Sequence, residues 1–568
     1  MTRPFRWKVP MSFLVAVLAT FVSTVVPAAV VGAAPTAPAK HVLLLSIDGL
    51  HASDLAQCEA NGECPHLAAL AGHGTTYSNA NTSKPSDSAP GLMGLVTGGD
   101  PKLTGVYYDD SYTRNLYAPP AQLASGTQNC SGPAGTETGY FENVDALAPT
   151  FNNPVGNRPI IGGTVDPAQL PYAKQNGKCS PVLPNDFLRT NSIFSVAHAA
   201  GMWTAWADKH PVYNAQVAGN GTPNSVSDPF NTEINADSIP PSLVDTRGRT
   251  ITFPLPNPDG TGPYFITDSV GNTEAYDQIK VDAILNQIDG LNSAGTKAAL
   301  VPAIFGMNFQ AVSVGQKLID PILSCPRSGN APTCDPSYFP GGYEPGTLLF
   351  TPQLAGAISW VDTAVGSMVT ELQNRGVLSS TTIIITAKHG QSPIDPSQLN
   401  LVGHAVTTVL TNAGITPAFV VDDDVALVWL ANQGQTAAAV AALNADKSGP
   451  NTAKVDYVLS GPALAAQFNS PMQDPRTPDL IVQPVVGTIY SHSTAKVAEH
   501  GGFSSNDTNV AMLVVNGVNV VNNTPVGATV TQPVRTYQVA PTILADLGVN
   551  PNKLDAVRIE NVQVLPGS

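Results

Sequence analysis

The sequence predicts an α/β protein whose central sheet is mostly parallel and covered on both faces, and three observations predict it. Short apolar runs rich in β-branched residues recur along the chain: HVLLLSI at His41–Ile47, TIIIT at 382–386, and further runs at 426–431 and 512–515. Each is too short for a globular helix and long enough for a buried strand. Leu354, Ile358, Val361, Val365, Met368 and Leu372 recur every three or four residues, the spacing of one helix face, with Gly376 as the stop. That helix leads at once into TIIIT, the alternation that builds parallel strands with helical crossovers.

At the amino end, Arg3, Arg6 and Lys8 precede a nearly continuous apolar stretch over 11–31, closed by Gly32, Ala33 and Ala34. A basic start, an apolar middle and small residues at the end read as a secretory signal peptide over 1–34, cleaved near Ala33 or Ala34. A retained anchor is the competing reading, since the stretch is long enough to cross a bilayer. The small residues and the missing charged flank favour cleavage. Nothing later approaches the ~18 consecutive apolar residues that a membrane helix requires. The mature chain is therefore expected to be secreted, with no stable membrane anchor.

Once the leader has gone, 24 Lys and Arg face 42 Asp and Glu, a net charge of −18. Such a balance excludes the basic stripe with which proteins grip duplex nucleic acid. All six cysteines lie beyond the leader. An even number in a secreted chain implies disulfides. Spacing pairs Cys58 with Cys64 and Cys325 with Cys334, leaving Cys130 for Cys179, although sequence alone leaves the connectivity open.

Residues 35–568 exceed the size of an ordinary single core. Stretches at about 115–184 and 220–263 are dense in Pro, Gly, Asn, Ser and Thr and break the strand–helix rhythm. They are expected to be insertions that wall a site within one catalytic domain, whose core comes from the first and last thirds.

In open parallel sheets, ligands gather at the carboxyl ends of strands. Asp48 ends the first strand, Lys388 and His389 end the TIIIT strand, and Asn308 follows Ala-Ile-Phe-Gly. His500 stands in Ala-Glu-His-Gly-Gly, shortly before the run at 512. Carboxylate and imidazole are donors that zinc accepts. Singly, a strand-end Asp is as often a turn former, so the signal is their convergence. Ser88 opens an apolar run that reads as a helix, whose free N–H groups favour an anion; its plainer reading is an N-cap.

The ordered set Ser46-Ile-Asp48-Gly, Pro85-Ser-Asp-Ser88-Ala-Pro90 and Leu95-Val-Thr-Gly98 resembles the type I phosphodiesterase/nucleotide pyrophosphatase branch of the alkaline phosphatase superfamily. Gly105-Val-Tyr-Tyr-Asp109, Lys388-His389-Gly390, Arg476-Thr-Pro-Asp479, His500-Gly and Val539-Ala-Pro541 continue the resemblance, from 42 to 548. It implies an alkaline phosphatase-like three-layer α/β/α fold with loop-rich insertions. It also implies a hydrolase of phosphate esters or phosphodiesters acting on a small phosphate-ester or nucleotide-like substrate; no oligomeric state is implied. The branch binds two metals and uses a metal-activated hydroxyl nucleophile, here Ser88.

The departures from the branch are as telling. Lys388 stands where a ligating Asp belongs, Asn308 where a second does, and Val312 where a His does. The expectation is one dication per chain, zinc by donor type, on Asp48, Ser88 and His389, with His500 left from the second site. Lys388 is then expected to lend its charge to the substrate. Lys209 and His210, in Trp206-Ala-Asp-Lys209-His210, are candidate substrate contacts that read equally as a solvated loop; Asn308 is a further candidate, and so is Asp109, a type that is more often a turn residue. A sulfatase is the competing enzyme, but Leu92 occupies the Arg position that its nucleophile motif requires. An inactive binding protein on the same scaffold is the competing non-enzyme.

Overall fold

Two sheets carry the fold in the computed structural model, which describes residues 39–139, 158–236, 239–254, 266–318, 341–491 and 496–568. In chain order their strands are β1 (His41–Ile47), β2 (Thr75–Tyr77), β3 (Ile304–Phe309), β4 (Thr381–Thr386), β5 (Pro417–Asp422), β6 (Ala426–Leu430), β7 (Val455–Ser460), β8 (Leu480–Pro484), β9 (Met512–Asn516) and β10 (Ala528–Val530). The helices that matter here are α1 (Ser88–Thr97), α2 (Val270–Ile288), α3 (Ala311–Lys317), α4 (Pro352–Asn374), α5 (Ala405–Asn412), α6 (Thr436–Ser448) and α7 (Val539–Asp546).

The central sheet runs β3-β1-β4-β9-β2-β10. β1 pairs in parallel with β3 and β4, and β2 with β10, whereas β9 is antiparallel to both β4 and β2. Side chains alternate across a strand, and β1 shows the consequence. Leu43, Leu45 and Ile47 enter one core with Ile284 of α2, Val314 of α3 and Val361 of α4. Val42 and Leu44 enter a second core with Leu92 of α1 and Ile543 of α7. The fold is the expected three-layer α/β/α arrangement.

All six apolar residues of the predicted α4 face are buried. Thr351 caps its start by accepting from the Leu354 N–H, Pro352 opens it, and Gly376 follows its last residues with φ +73°. That left-handed backbone is the conformation glycine adopts without a Cβ clash.

Between β4 and β9 the chain builds the second sheet, β5-β6-β8-β7, antiparallel throughout. Val406 and Leu410 of α5 and Ala439 and Leu443 of α6 bury one face with Val428 and Val482. The other face, through Leu427, Trp429 and Ile481, packs on Tyr107, Tyr108 and Phe503. The run at 426–431 is thus a buried strand, but of this sheet and not of the central one.

Disulfides join Cys58 to Cys64 and Cys130 to Cys179, as expected. Cys325 and Cys334 lie outside the described residues, as does the 1–34 leader. Within the described parts of 115–184 and 220–263 are two hairpins, Tyr172–Gln175 with Lys178–Pro181 and Ser242–Val244 with Thr250–Thr252. No helix among the described residues is long and apolar enough to cross a membrane.

Candidate active site

Strand register brings the candidate residues to one edge. Ser46 of β1 lies opposite Asn308 of β3 and Thr386 of β4, so the segments leaving the three strands emerge side by side. They carry Asp48, then Gln310, then Lys388 with His389. A fourth contribution comes from Ala205–Trp206, held parallel to β3 through the bridges Thr204–Ile304 and Ala207–Met307. Asp208, Lys209 and His210 therefore leave at the same edge.

Helix α1 arrives from above. Its N-cap is Asp87, whose Oδ2 accepts from the Ala89 N–H at 3.1 Å, so Ser88 is the first helical residue and not the cap. All ten residues of α1 are buried. Gly91 permits this seating: a Cβ there would lie 2.2 Å from the Lys388 carbonyl oxygen. One missing methyl thus sets the distance between Ser88 and the β4 end.

At the centre, Lys209 Nζ donates to Ser88 Oγ at 2.8 Å. Lys388 Nζ donates to Asp208 Oδ1 at 2.9 Å and stands 3.7 Å from Asp48 Oδ2. Gln310 Nε2 donates to the same Asp48 oxygen at 2.6 Å, and His389 Nε2 lies 3.5 Å from it. Asp48, Ser88 and Lys388 are 0% exposed. The His500 ring sits 4.2 Å from that of His389, and its Nδ1 is 3.4 Å from Asp87 Oδ1. Behind these, Asp277 Oδ2 accepts from the N–H groups of Gln310 and Ala311 and its other oxygen pairs with buried Lys280 at 3.0 Å, which fixes the turn carrying Gln310.

The charges balance locally. Burial raises the Asp48 carboxyl, but Lys388, His389 and Lys209 outweigh it and hold the group well below the usual carboxylate range. Burial likewise opposes the Lys209 ammonium, yet Asp48, Asp109, Asp87 and Asp208 raise its pKa, so it stays charged. Burial leads in pushing Asp87 up to about 7, against the pull of Lys209. His500 is driven well below its ordinary value by burial and then by Lys317 and its neighbours, so the ring is neutral.

A cleft of about 540 Å³ opens over this edge, with Tyr108, Asp109, Lys209, His210, Lys317 and His500 on its wall. Asp48, Ser88, Lys388 and His389 are not on that wall, but Lys209 and His500, which are, touch Ser88 and His389. Of the expected substrate contacts, Lys209 lies between cleft and nucleophile. His210 lines the cleft with Nδ1 turned to Glu233 at 2.9 Å, and Asp109 gives its N–H to Asp87 at 2.9 Å. Asn308 is buried, its Oδ1 accepting from Gln310 at 2.7 Å. Sequence reasoning missed Asp87, Asp208 and Gln310. Asp87 and Asp208 sit inside the motifs that carry Ser88 and Lys209, which was the available signal.

The donors can be set against the expected dication. Asp48 Oδ2 and His389 Nε2 are spaced as two ligands of a common ion, but catalytic zinc takes three protein ligands. Ser88, the third, is engaged by an ammonium, and the His500 ring stands nearer Asp87. Among the described residues, no three His, Cys, Asp or Glu side chains form a metal-holding group. A dication ~4 Å from one ammonium meets a repulsion of about 8 kcal/mol at an effective dielectric of ~20, and two ammoniums are present. The described residues do not fit a dication on Asp48, Ser88, His389 and His500, which departs from the expectation of one zinc per chain.

Comparison with known proteins gives the family. The profile of type I phosphodiesterase/nucleotide pyrophosphatase matches residues 42–288 and 342–507, well over half of the chain. No curated protein matches the sequence. The fold is similar to the alkaline phosphatase PafA, at 13% identity and a TM-score of 0.52, covering 91% of this chain and 97% of that one. Murine ectonucleotide pyrophosphatase/phosphodiesterase 5 is 12% identical over 90% of this chain and 96% of its own, with a TM-score of 0.49. Phosphonoacetate hydrolase from Sinorhizobium meliloti is 15% identical over 90% and 96%, with a TM-score of 0.48. Enzymes of the matched family are metal-dependent, which makes the lysines of this site its main departure. With its ordered motifs and three-layer fold, the chain belongs to the type I phosphodiesterase/nucleotide pyrophosphatase family of the alkaline phosphatase superfamily, and it is a phosphoric ester hydrolase by class.

Proposed function

We propose that the protein is a secreted hydrolase of small phosphate esters or phosphodiesters in which Ser88 is the nucleophile. One observation carries the reading: Ser88 Oγ, at the first turn of α1, receives a 2.8 Å hydrogen bond from a lysine that also lines the cleft. An ammonium on a hydroxyl oxygen favours its alkoxide, and the helix start adds N–H groups for an anion. In the reaction the Ser88 Oγ–P bond forms as the ester P–O bond breaks, and the hydroxyl proton ends on the leaving oxygen. Water then cleaves the phosphoryl-serine and restores Ser88.

The cleft volume suits a small-molecule or nucleotide-like substrate. Two disulfides support an oxidising, extracellular location. Leu92 is fully buried in the core, so a sulfatase arginine has no counterpart there. The test is turnover of p-nitrophenyl phosphate, bis-p-nitrophenyl phosphate and p-nitrophenyl sulfate by wild type and Ser88→Ala. Wild type should cleave at least one phosphate ester and not the sulfate, and Ser88→Ala should lose at least about 10³-fold in kcat. Inert wild type would leave a binding protein on a hydrolase scaffold, and an active Ser88→Ala would remove Ser88 from its role.

A further inference from the structure

We infer that two lysine ammoniums do in this protein what divalent cations do at a metal-activated hydroxyl: Lys209 acts on the nucleophile, and Lys388 is the fixed counter-ion of the carboxylates behind it. The inference rests on Ser88 being the nucleophile. Its ground is geometric. Lys209 and Lys388 come from different strand ends, Ala205–Trp206 and β4, yet both ammoniums converge on one set of groups. Lys209 Nζ meets Ser88 Oγ at 2.8 Å; Lys388 Nζ lies 2.9 Å from Asp208 and 3.7 Å from Asp48.

The two lysines differ in what they reach. Lys388 is fully buried, ion-paired, and 4.9 Å above the Tyr213 ring, so it holds Asp48 and Asp208 and does not meet the substrate. It is a positioning residue. Lys209 lines the cleft as well as touching Ser88, so one ammonium can face both the nucleophile and an incoming phosphoryl oxygen. Asp48 has changed its employment accordingly, from ligand to acceptor for Gln310 and neighbour of Lys388.

The exchange is self-consistent in charge. A carboxylate beside Asp48 and His389 would give a third donor and leave a cation wanting; an ammonium there satisfies Asp48 and Asp208 without one. Lysine suits the task because its compact charge acts as a point cation, much as a metal does, where a guanidinium would spread it.

The test uses the mature full-length chain. Equilibrium dialysis against zinc, read by elemental analysis, should leave wild type without a stoichiometric ion. Lys388→Asp, which adds a carboxylate beside Asp48 and His389, should take zinc up. Titration calorimetry with inorganic phosphate in a chelator should show wild-type binding that Lys209→Ala weakens by about tenfold or more and that Lys209→Arg largely keeps. Thermal melts confirm that each variant folds. A stoichiometric dication retained by wild type, or phosphate binding that vanishes in chelator and returns with zinc, would overturn the inference while leaving the hydrolase reading intact. Metal-free phosphate binding that Lys209→Ala abolishes, in a protein that cleaves none of the three esters, would sink the proposed function and with it the action of Lys209 on a nucleophile, leaving only an anion site at Lys209.

Discussion

Gly91 and Gly94 lie one turn apart on α1, and the same substitution should act on them with opposite sign. A Cβ at Gly91 would sit 2.2 Å from the Lys388 carbonyl oxygen, 2.8 Å from its carbon and 3.0 Å from its Cα. All three are backbone atoms of a strand end, which no rotamer change can move aside. Restoring ordinary contact requires a shift of about 1.2 Å between α1 and the β4 end, in a core packed without spare volume. Overpacking of this kind costs about 1–3 kcal/mol. At Gly94 the nearest atom to a Cβ would be 3.8 Å away, so Gly94→Ala meets no clash and gains the helix preference of alanine, about 0.5–1 kcal/mol. Urea unfolding should therefore give a midpoint below wild type for Gly91→Ala and at or above it for Gly94→Ala. Turnover sharpens the test, because the shift separates Ser88 from Lys388 and His389. Gly91→Ala should lose kcat out of proportion to its stability, and Gly94→Ala should keep it. Equal stability and equal turnover of the two variants would refute the claim that Gly91 seats α1 on the β4 end.

Two further predictions concern buried charge. Removing Asp277 leaves the Lys280 ammonium buried without its partner and frees two N–H groups of the Gln310 turn. Asp277→Ala should cost about 3–5 kcal/mol by denaturant titration, and Asp277→Ala with Lys280→Met should recover much of it. Asp87 has its folded pKa raised to about 7 by burial, above the ordinary 3.8 of a free Asp. A raised carboxyl contributes stability that is full below pH ~4 and is lost as pH climbs toward ~7, because ionising the buried group costs free energy. Asp87→Asn keeps an N-capping side chain and removes the titration, so its stability between those pH values should fall less than that of wild type. An unchanged slope in the variant would assign the dependence to other groups.

Local elements were legible because local physics makes them. The three- and four-residue spacing from Leu354 to Leu372 specified α4 down to its Gly376 stop, and the polar residues ending β1 and β4 marked the edge where Asp48, Lys388 and His389 meet. What was not legible is neighbourhood. The run at 426–431 is as apolar as β4, and nothing in its composition says that it pairs with β5 and β8 rather than with the central strands. For the same reason, Asp208 as the partner of Lys388 could not be read: the contact exists because Ala205–Trp206 lies beside β3, across 180 positions of sequence. Gln310 illustrates a subtler limit. Asn308 marks the loss of an expected acid, yet the residue two places on supplies the contact to Asp48. Ser88 and Asp87 are both good N-caps by type, and only the backbone decides that Asp87 takes the role.

The central claim, that Ser88 is the group that attacks phosphorus, is tested most directly by trapping the intermediate. Protein mixed briefly with p-nitrophenyl phosphate or its diester, quenched in acid and digested, can be mapped by mass. The account predicts a covalent phosphoryl adduct on the peptide bearing Ser88, absent from Ser88→Ala and formed in the presence of chelator. An adduct on another residue, or rapid turnover with Ser88 never modified, would contradict it.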